Sequence, residues 1–281
     1  MNQELLPQGG CFPGREEYAA LIGRLEAAEN KPIRRICYRW CNGQGSVSVF
    51  QDNLCQPFTG KTEPRALTAV TGEDPHYDYL LYLPANYELE PGRKWPVIWF
   101  FHGIGERGDN VWDVMLYGVP QYLAQGNSLD AIVIAPQCHL ESHWADTDQE
   151  VEIHLRRFIP EMMARYAIDP ARMYLTGLSM GGRCSWKTAL AMPDLFAALA
   201  PVCGRTNTYE FERLVHMPIY MVHGLQDSVI PFENVGKILP VLLEKGHPDI
   251  TLTIYPHQRH DVWTDTYGCH GFYEWLLSHH L

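Results

Sequence analysis

From about Tyr77 to its C-terminus, the chain alternates short apolar runs rich in β-type residues with stretches of helical periodicity. This alternation predicts a mostly parallel sheet covered by helices on both faces, because parallel strands need long crossover connections. The predicted strands are Tyr79–Leu83, Val97–Phe101, Ala131–Ala135, Met173–Thr176, Ala198–Val202, Ile219–Val222 and Thr251–Tyr255. The predicted helices are Asp148–Tyr166, which Pro160 should kink or split, Gly182–Met192, Glu233–Lys245 and Phe272–Ser278. The fold class is a doubly wound α/β sheet, which alone specifies no chemistry.

The first 70 residues follow another pattern. Glu16–Glu29 has helical spacing of apolar residues, whereas Ile33–Trp40 and Ser46–Phe50 are rich in β-type residues. The two β-type runs flank Asn42 and Gly43, a pair that favours a hairpin turn. We therefore divide the chain into an N-terminal extension of residues 1–70 and a main domain of residues 71–281. Whether the extension is a separate module or adds to the main sheet stays open at this stage.

Composition restricts the classes of partner. The chain has 281 residues, 46% of them hydrophobic, so it can bury a large core. Its 22 Lys and Arg against 33 Asp and Glu give a net charge of −11, spread along the chain, which argues against nucleic acid. The sequence has no run of about 18 apolar residues, so no membrane span is predicted. Met1–Pro13 lacks an export signal, so we expect a cytoplasmic protein, or a secreted one if a signal has been removed. No heptad pattern indicates the oligomeric state.

The eight cysteines are irregularly spaced, and a chain of this length needs no disulfides for stability. We therefore expect reduced thiols. Cys37 and Cys41 have three residues between them and no second pair, so thiols are a better interpretation than a zinc site. No metal and no organic cofactor is expected.

One segment carries the strongest chemical signal. Gly177, Ser179 and Gly181 form Gly-x-Ser-x-Gly between a predicted strand and a predicted helix, which is the context of a nucleophile elbow. The sharp turn requires very small flanking residues and exposes the serine hydroxyl in a strained conformation. The helix that follows aims backbone N–H groups at developing negative charge. Ser179 is therefore the predicted nucleophile.

A serine hydroxyl needs a base, and the base needs a carboxylate that orients it. In such folds the order along the chain is Ser, acid, His, each in a loop after a strand. Asp227 follows the strand Ile219–Val222, and His260 follows the strand Thr251–Tyr255. We predict Asp227 as the acid and His260 as the base.

Other residues compete for these roles. The rival base is His257, three residues before the preferred one, whereas His223 is expected to support the loop of the acid. Among the acids, Asp261 adjoins the predicted base with poor geometry, Asp265 comes too late, and Glu233 is a weaker alternative.

Acyl transfer also needs two donors for the oxyanion, and one such donor contributes about 2.7–4 kcal/mol. We predict the backbone N–H groups of Met180, directly after the nucleophile, and of Ile104, in the glycine-rich turn His102–Gly108. The alternative for the second position is a simple tight turn. Glu106 and Arg107 would orient this turn by pairing, or else form a solvated ion pair.

Five segments together resemble the α/β-hydrolase esterases related to polyhydroxybutyrate depolymerases and feruloyl esterases, which are also labelled predicted peptidases. The segments are FFHGIGERGDN (100–110), APQC (135–138), DPARMYLTGLSMGG (169–182), HGLQDSVIP (223–231) and HDVW (260–263). The resemblance implies the α/β-hydrolase fold and the following roles: Ser179 as nucleophile, Asp227 as acid, His260 as base, and Ile104 and Met180 as oxyanion donors. Trp144 is similar to the aromatic residue that lines the acyl or alcohol pocket; an ordinary packing tryptophan is the alternative.

These features predict a serine carboxylic-ester hydrolase that works through an acyl-enzyme. Its expected partners are small-molecule or saccharide esters with short-chain acyl, acetyl or feruloyl groups. One alternative is a serine peptidase of the prolyl-oligopeptidase type, although about 70 residues are too few for a propeller. The other is a non-catalytic binding protein on a hydrolase scaffold, which would have no need for an activated serine.

Overall fold

A ten-stranded mixed sheet forms the centre of the molecule in this computed structural model, which describes residues 5–6, 14–42, 44–51, 67–73, 77–144, 150–206, 210–247 and 249–281. The strands are β1 Arg35–Cys41, β2 Gln44–Phe50, β3 Thr68–Val70, β4 Tyr79–Tyr82, β5 Trp95–Phe101, β6 Ile132–Pro136, β7 Ile168–Leu178, β8 Ala198–Val202, β9 Ile219–Gly224 and β10 Asp249–Tyr255. Their spatial order is β2-β1-β10-β9-β8-β7-β5-β6-β4-β3. The six strands from β10 to β6 pair in parallel, and β1, β2, β3 and β4 pair antiparallel at the two sides.

Helices cover the sheet, and their bounds follow the predicted ones within a few residues. They are α1 Arg15–Glu29, α2 Gly118–Ala124, α3 Arg156–Arg165, α4 Met180–Ala191, α5 Glu233–Glu244, α6 Trp263–Tyr267 and α7 His270–Leu277. Short 3₁₀ helices add turns at Ile104–Glu106 and Val111–Leu116. The sequence patterns missed α2, α6 and β3, all of which are short. The fold class predicted from the sequence is confirmed.

The predicted helix with Pro160 at its centre is split. Residues Glu150–Leu155 form a π-helix and α3 continues from Arg156, with Pro160 inside it. A proline ring crowds the carbonyl four residues earlier, here that of Arg156, where the helix type changes. The predicted start at Asp148 lies outside the described residues.

The core has two layers, one on each face of the sheet. In β5, Val97, Trp99 and Phe101 point into one apolar cluster, while Ile98 and Phe100 point into the other. All five side chains are fully buried. A strand buried on both faces is an unbroken apolar run, which explains why β5 was evident in the sequence.

The N-terminal hairpin extends the main sheet. Strands β1 and β2 pair antiparallel as predicted, and β1 also pairs with β10, with Ile36 opposite Ile254. Helix α1 packs on the same core through Tyr18 and Ile22, both buried. At the predicted turn, Asn42 adopts a left-handed conformation with φ of 50°, while Gly43 lies outside the described residues.

The chain order reverses at β5, which lies between β6 and β7. The loops after β5 and β7 therefore leave the same edge of the sheet side by side. In open α/β sheets, such a switch point is where ligands bind.

Gly118, the first residue of α2, offers a test of this packing. It has φ of 73°, and a Cβ there would lie 2.2 Å from Cζ of Phe100. Gly126 has φ of 91° with nothing within 4 Å of its Cβ position. In both alanine variants, backbone strain should lower the free energy of unfolding by about 1–2 kcal/mol. In Gly118→Ala, overpacking against Phe100 should lower it by about 1–3 kcal/mol more. Urea unfolding measures both, and equal losses would contradict the described contact.

Candidate active site

Ser179 stands in the turn between β7 and α4 with a strained backbone. Its φ of 55° and ψ of −114° are unusual for a residue with a side chain. The backbone is held there because the Ser179 N–H donates to the Val202 carbonyl at 2.9 Å, and the Arg183 N–H donates to the Ser179 carbonyl at 3.1 Å. The strain therefore persists through hydrogen bonds on both sides of the serine.

The flanking glycines are required by close backbone contacts. A Cβ on Gly177 would lie 2.5 Å from the Gly181 carbonyl oxygen, and a Cβ on Gly181 would lie 1.9 Å from the Phe101 carbonyl oxygen. No side chain fits at either position. The Gly-x-Ser-x-Gly pattern is thus explained by α4 starting directly against the end of β5.

The three side chains that the sequence singled out lie in one hydrogen-bonded row. His260 Nε2 is 2.8 Å from Ser179 Oγ, and His260 Nδ1 is 2.6 Å from Asp227 Oδ2. The Asp227 carboxylate can only accept, so the Nδ1 proton of His260 donates to it and Nε2 faces the serine hydroxyl. The Asp227 side chain is fully buried, and 16% of the His260 side chain is exposed. This arrangement can remove a proton from the serine.

The Asp227 carboxylate is held by further donors. Its Oδ1 accepts the backbone N–H groups of Val229 at 2.8 Å and Ile230 at 2.9 Å. Burial acts to raise the pKa of Asp227, but the hydrogen bonds from His260 and Ile230 outweigh burial and keep the pKa below its usual value. The group therefore stays ionised and fixed in orientation.

The competing candidates lie elsewhere. His257 Nε2 is 2.6 Å from Oε1 of Glu26 on α1. Asp261 Oδ1 accepts from the backbone N–H and the hydroxyl of Thr264, at 3.3 and 2.9 Å, and so caps α6. Asp265 accepts from the side chain of Gln258. Each of these residues has a structural contact of its own.

His223 lies beneath the acid, in the position expected of a supporting residue. Its Nε2 is 2.8 Å from the Ile230 carbonyl oxygen and 3.4 Å from Asp227 Oδ2. Since a carbonyl only accepts, Nε2 carries a proton. Burial lowers the pKa of His223, so the ring is neutral near pH 7. It steadies the loop without adding a charge beside the carboxylate.

The register of the sheet brings the predicted oxyanion donors next to each other. Phe101 pairs with Gly177, so the residues that follow the two strands leave the sheet side by side. A Cβ on Gly103 would lie 2.7 Å from Leu178 Cδ1, which shows how closely the two loops approach. Met180 begins α4, where backbone N–H groups lack partners within the helix. Ile104 begins the neighbouring 3₁₀ turn. Their role as donors stays a prediction.

Glu106 and Arg107 orient the loop through separate contacts. Glu106 is buried and accepts the Gly103 N–H at 2.7 Å; burial raises the pKa of this carboxyl group. The Arg107 guanidinium donates to the carbonyls of Leu140 at 2.8 Å and Ser142 at 3.0 Å. Instead of pairing with each other, both side chains bind backbone groups, Glu106 within the loop and Arg107 both within the loop, at Ile104, and in the loop after β6.

His102 fastens the same loop and was missed by sequence reasoning. Its Nδ1–H donates to the Gly103 carbonyl at 2.6 Å, and its Nε2 accepts the Cys138 N–H at 2.9 Å. The ring is fully buried, and burial lowers its pKa from 6.5 to about 4. It is therefore a neutral ring with one fixed tautomer. The HG dipeptide after a strand was the signal available in the sequence.

Trp144 lies in the hydrophobic core and is not exposed on the surface of a substrate pocket. Its side chain is fully buried, with ring centroids 5.4 Å from Tyr77, 5.4 Å from Phe101 and 5.1 Å from His102. This position favours the packing alternative. A pocket-lining role for Trp144 stays a prediction.

One aromatic residue lies beside the candidate base, and a second packs against the first. The Trp263 ring is 5.4 Å from His260 at 89°, and Tyr117 is 5.8 Å from Trp263 at 62°. Tyr117 and its neighbour Leu116 are exposed. Sequence reasoning missed this aromatic pair, since Trp263 appeared only within the HDVW segment and no pattern singled out Tyr117.

Histidine, cysteine and carboxylate side chains also lie elsewhere in the described ranges. No group of three or more His, Cys, Asp and Glu side chains there is arranged to hold a metal ion. No two described cysteines are joined by a disulfide. No helix in the described part of the chain is long and apolar enough to cross a bilayer.

The sheet, the elbow and the hydrogen-bonded row define an α/β-hydrolase, and comparison with known proteins gives the family. Residues 119–266, just over half of the chain, match the dienelactone hydrolase family, and the chain belongs to that family. The resemblance to feruloyl-esterase-type enzymes is confirmed, since the relatives include a feruloyl esterase C and a solved esterase.

The chain is similar to a bifunctional acetylxylan esterase/xylanase of Neocallimastix patriciarum, with 31% identity over 36% of this chain and 16% of that protein. It is similar to a feruloyl esterase C of Emericella nidulans, with 26% identity over 56% of this chain and 57% of that protein. It therefore spans less than two thirds of both proteins. A solved thermostable esterase has 27% identity and a TM-score of 0.64, over 85% of this chain and 68% of that one.

The buried His102 predicts a dependence of stability on pH. Because its pKa is about 4 in the folded chain against an ordinary 6.5, the unfolded chain binds an extra proton between these pH values. The free energy of unfolding should fall as pH drops from 6.5 to 4, by roughly 3 kcal/mol from this residue.

Urea unfolding at pH 7 and 4.5 measures this dependence. His102→Gln should lower the free energy of unfolding at pH 7 and reduce its decrease between pH 7 and 4.5. His280→Gln, at an exposed position, should leave that decrease unchanged. Identical pH dependence in His102→Gln and the unaltered protein would contradict the assignment.

Proposed function

We propose that the protein is a serine carboxylic-ester hydrolase that works through an acyl-enzyme. The observation that carries the proposal is the row of hydrogen bonds from Ser179 Oγ to His260 Nε2 and from His260 Nδ1 to Asp227, at 2.8 and 2.6 Å. A serine hydroxyl becomes a useful nucleophile at neutral pH when a base lies within hydrogen-bond reach and a third group orients that base. Both conditions are met at this site.

In the first half of the reaction, Ser179 Oγ attacks the ester carbonyl carbon while its proton passes to His260 Nε2. The carbonyl oxygen becomes an oxyanion, which accepts hydrogen bonds from the N–H groups of Met180 and Ile104. Collapse breaks the bond to the alcohol oxygen, and His260 returns the proton to that oxygen. The alcohol leaves, and the acyl group stays on the serine.

In the second half, water takes the place of the alcohol. His260 removes a proton as the water oxygen attacks the acyl carbon. The bond between the acyl carbon and Ser179 Oγ then breaks, His260 returns the proton to Oγ, and the carboxylic acid leaves. Asp227 remains ionised throughout and stabilises the imidazolium that forms twice in each cycle. Its two backbone donors keep it in place.

The expected substrates are esters of small acyl groups, acetyl and feruloyl groups included, on simple alcohols or saccharides. Two relatives are named for acetylxylan and feruloyl ester hydrolysis. Trp263 beside His260, with the Tyr117 ring inclined to it at 62°, offers aromatic faces against which an aromatic group can pack. A substrate that contributes a phenyl ring would gain contacts there that an acetyl ester lacks.

Variants of the three side chains test the mechanism. Ser179→Ala and His260→Ala should each lower kcat by about four orders of magnitude or more, because the attack loses its nucleophile or its base. Asp227→Asn should lower kcat by about 10⁴ through the wrong tautomer of the histidine. Stopped or continuous hydrolysis assays with acyl esters measure kcat, and a fluorophosphonate probe should label every variant that keeps an activated serine.

Matched controls separate these roles from general damage. Ser185→Ala removes a buried hydroxyl of α4 and should still be labelled. Asp261→Asn keeps a capping side chain and should keep most activity. His257→Ala should stay far more active than His260→Ala. An unlabelled parent protein, or an active Ser179→Ala, would sink the proposal.

The aromatic pair predicts a preference that Tyr117→Ala should change. We expect this variant to raise KM for feruloyl esters by about tenfold, in line with a contact of 1–1.5 kcal/mol, and to leave acetyl esters nearly unaffected. Leu89→Ala, at an exposed apolar position, is the control. Equal changes for both ester classes would contradict the role of the pair. Peptide amides with matched acyl groups, tested in parallel, should be cleaved more slowly than the esters.

A further inference from the structure

Helix α1, from the N-terminal extension, turns one face towards the loops of the candidate site. Its Tyr18 and Ile22 are buried, and Arg15 and Glu26 are partly buried on the same face. These residues are spaced by three or four positions, so they form one stripe along the helix. The stripe is apolar at its centre and carries opposite charges at its two ends.

The first end of the stripe contacts the acid loop, residues 225–232, which contains Asp227. The Arg15 guanidinium donates to the side-chain oxygen of Gln226 at 2.9 Å. The Tyr18 ring stacks on Phe232, with 6.0 Å between centroids and 10° between planes. Helix α1 thus contacts Gln226, directly before the acid, and Phe232, the last residue of the acid loop.

The other end of the stripe contacts the base loop, residues 256–262, which contains His260. Glu26 Oε1 is 2.6 Å from His257 Nε2 and accepts the Ile33 N–H at 2.6 Å. Only 20% of the Glu26 side chain is exposed, against 56% of the His257 side chain, so the carboxylate end of this hydrogen bond is partly protected from solvent. Its position three residues before His260 lets it fix the path of the base loop.

The two loops also contact each other beneath the helix. The Gln226 N–H donates to the Gln258 carbonyl at 3.0 Å. A Cβ on Gly224 would lie 2.1 Å from the Arg259 carbonyl oxygen, so the backbones touch. The loops are therefore one unit, and α1 spans both halves of it.

We propose that α1 is a clamp that positions the acid and base loops, with Arg15 and Glu26 as positioning residues for the reaction at Ser179. The inference rests on the proposed function. It assigns to the N-terminal extension the task of keeping His260 Nδ1 in line with Asp227 Oδ2. A change far from the site that displaces the reacting groups by about 1 Å costs up to roughly a hundredfold in rate, so the loss of these α1 contacts is expected to lower kcat.

Removal of the Glu26 carboxylate tests the clamp. Glu26→Ala should lower kcat by about tenfold with KM little changed, and Arg15→Ala combined with Glu26→Ala should lower it by between about tenfold and a hundredfold. Glu26→Gln keeps an oxygen that accepts from both His257 and Ile33 and should restore most of the rate. Glu17→Ala, which removes the same charge from an exposed position of α1, should match the parent protein.

Two readouts distinguish positioning from mere stability. Thermal unfolding gives the folded fraction at the assay temperature, and kcat is expressed per folded molecule. The proton shared by His260 Nδ1 and Asp227 gives a low-field proton NMR signal, which should broaden or shift in Glu26→Ala and stay in place in Glu17→Ala. Unchanged kcat per folded molecule together with an unchanged signal in Glu26→Ala overturns the clamp.

The two proposals fail in different ways. A parent protein that neither hydrolyses esters nor reacts with a fluorophosphonate overturns the proposed function, and the NMR signal then still reports whether Glu26 aligns the two loops. The clamp alone is overturned if the parent protein is reactive but the combined Arg15→Ala and Glu26→Ala variant has the same NMR signal and the same kcat.

Discussion

The candidate site depends on how closely the backbone of α4 approaches the end of β5. At Gly181 the approach leaves no room for even one methyl group against the Phe101 carbonyl. The turn beside this contact holds Ser179 in its strained conformation, with the hydroxyl facing His260. It also brings the start of α4 beside the loop after β5. A single steric constraint therefore places both the hydroxyl and the backbone N–H groups that would stabilise an oxyanion.

Electrostatic order around the site comes from buried groups that stay neutral or stay paired. His102 and His223 are buried with lowered pKa values, and each donates to a backbone carbonyl of a site loop. Asp227 keeps its charge because hydrogen bonds outweigh its burial. The neutral rings act as rigid hydrogen-bonding spacers, so the charge of Asp227 is directed to His260 and is not shared with a second imidazolium.

The strands of the main domain and the three side chains of the row could be predicted because each has a local signature. Buried parallel strands are continuous apolar runs, and Asp227 and His260 each follow one of them. Contacts between distant positions have no such signature. The pairing of Glu26 with His257 joins residues 231 positions apart, and the burial of Trp144 depends on Tyr77 and Phe101. Glu106 and Arg107 are adjacent in the sequence, which suggested that their side chains pair with each other. Each side chain instead forms hydrogen bonds to backbone groups.

The pairing of β1 with β10 joins an early strand to the last strand of the sheet. During synthesis, β1 and β2 leave the ribosome long before β10 exists, so the hairpin must wait with an open edge while the parallel strands are made. Such distant pairing is slow because a large loop must close first. The base loop follows β10 directly, so α1 can contact this loop only after β10 has paired with β1. A nascent chain would thus carry a fully translated serine elbow before the base loop has docked beside it.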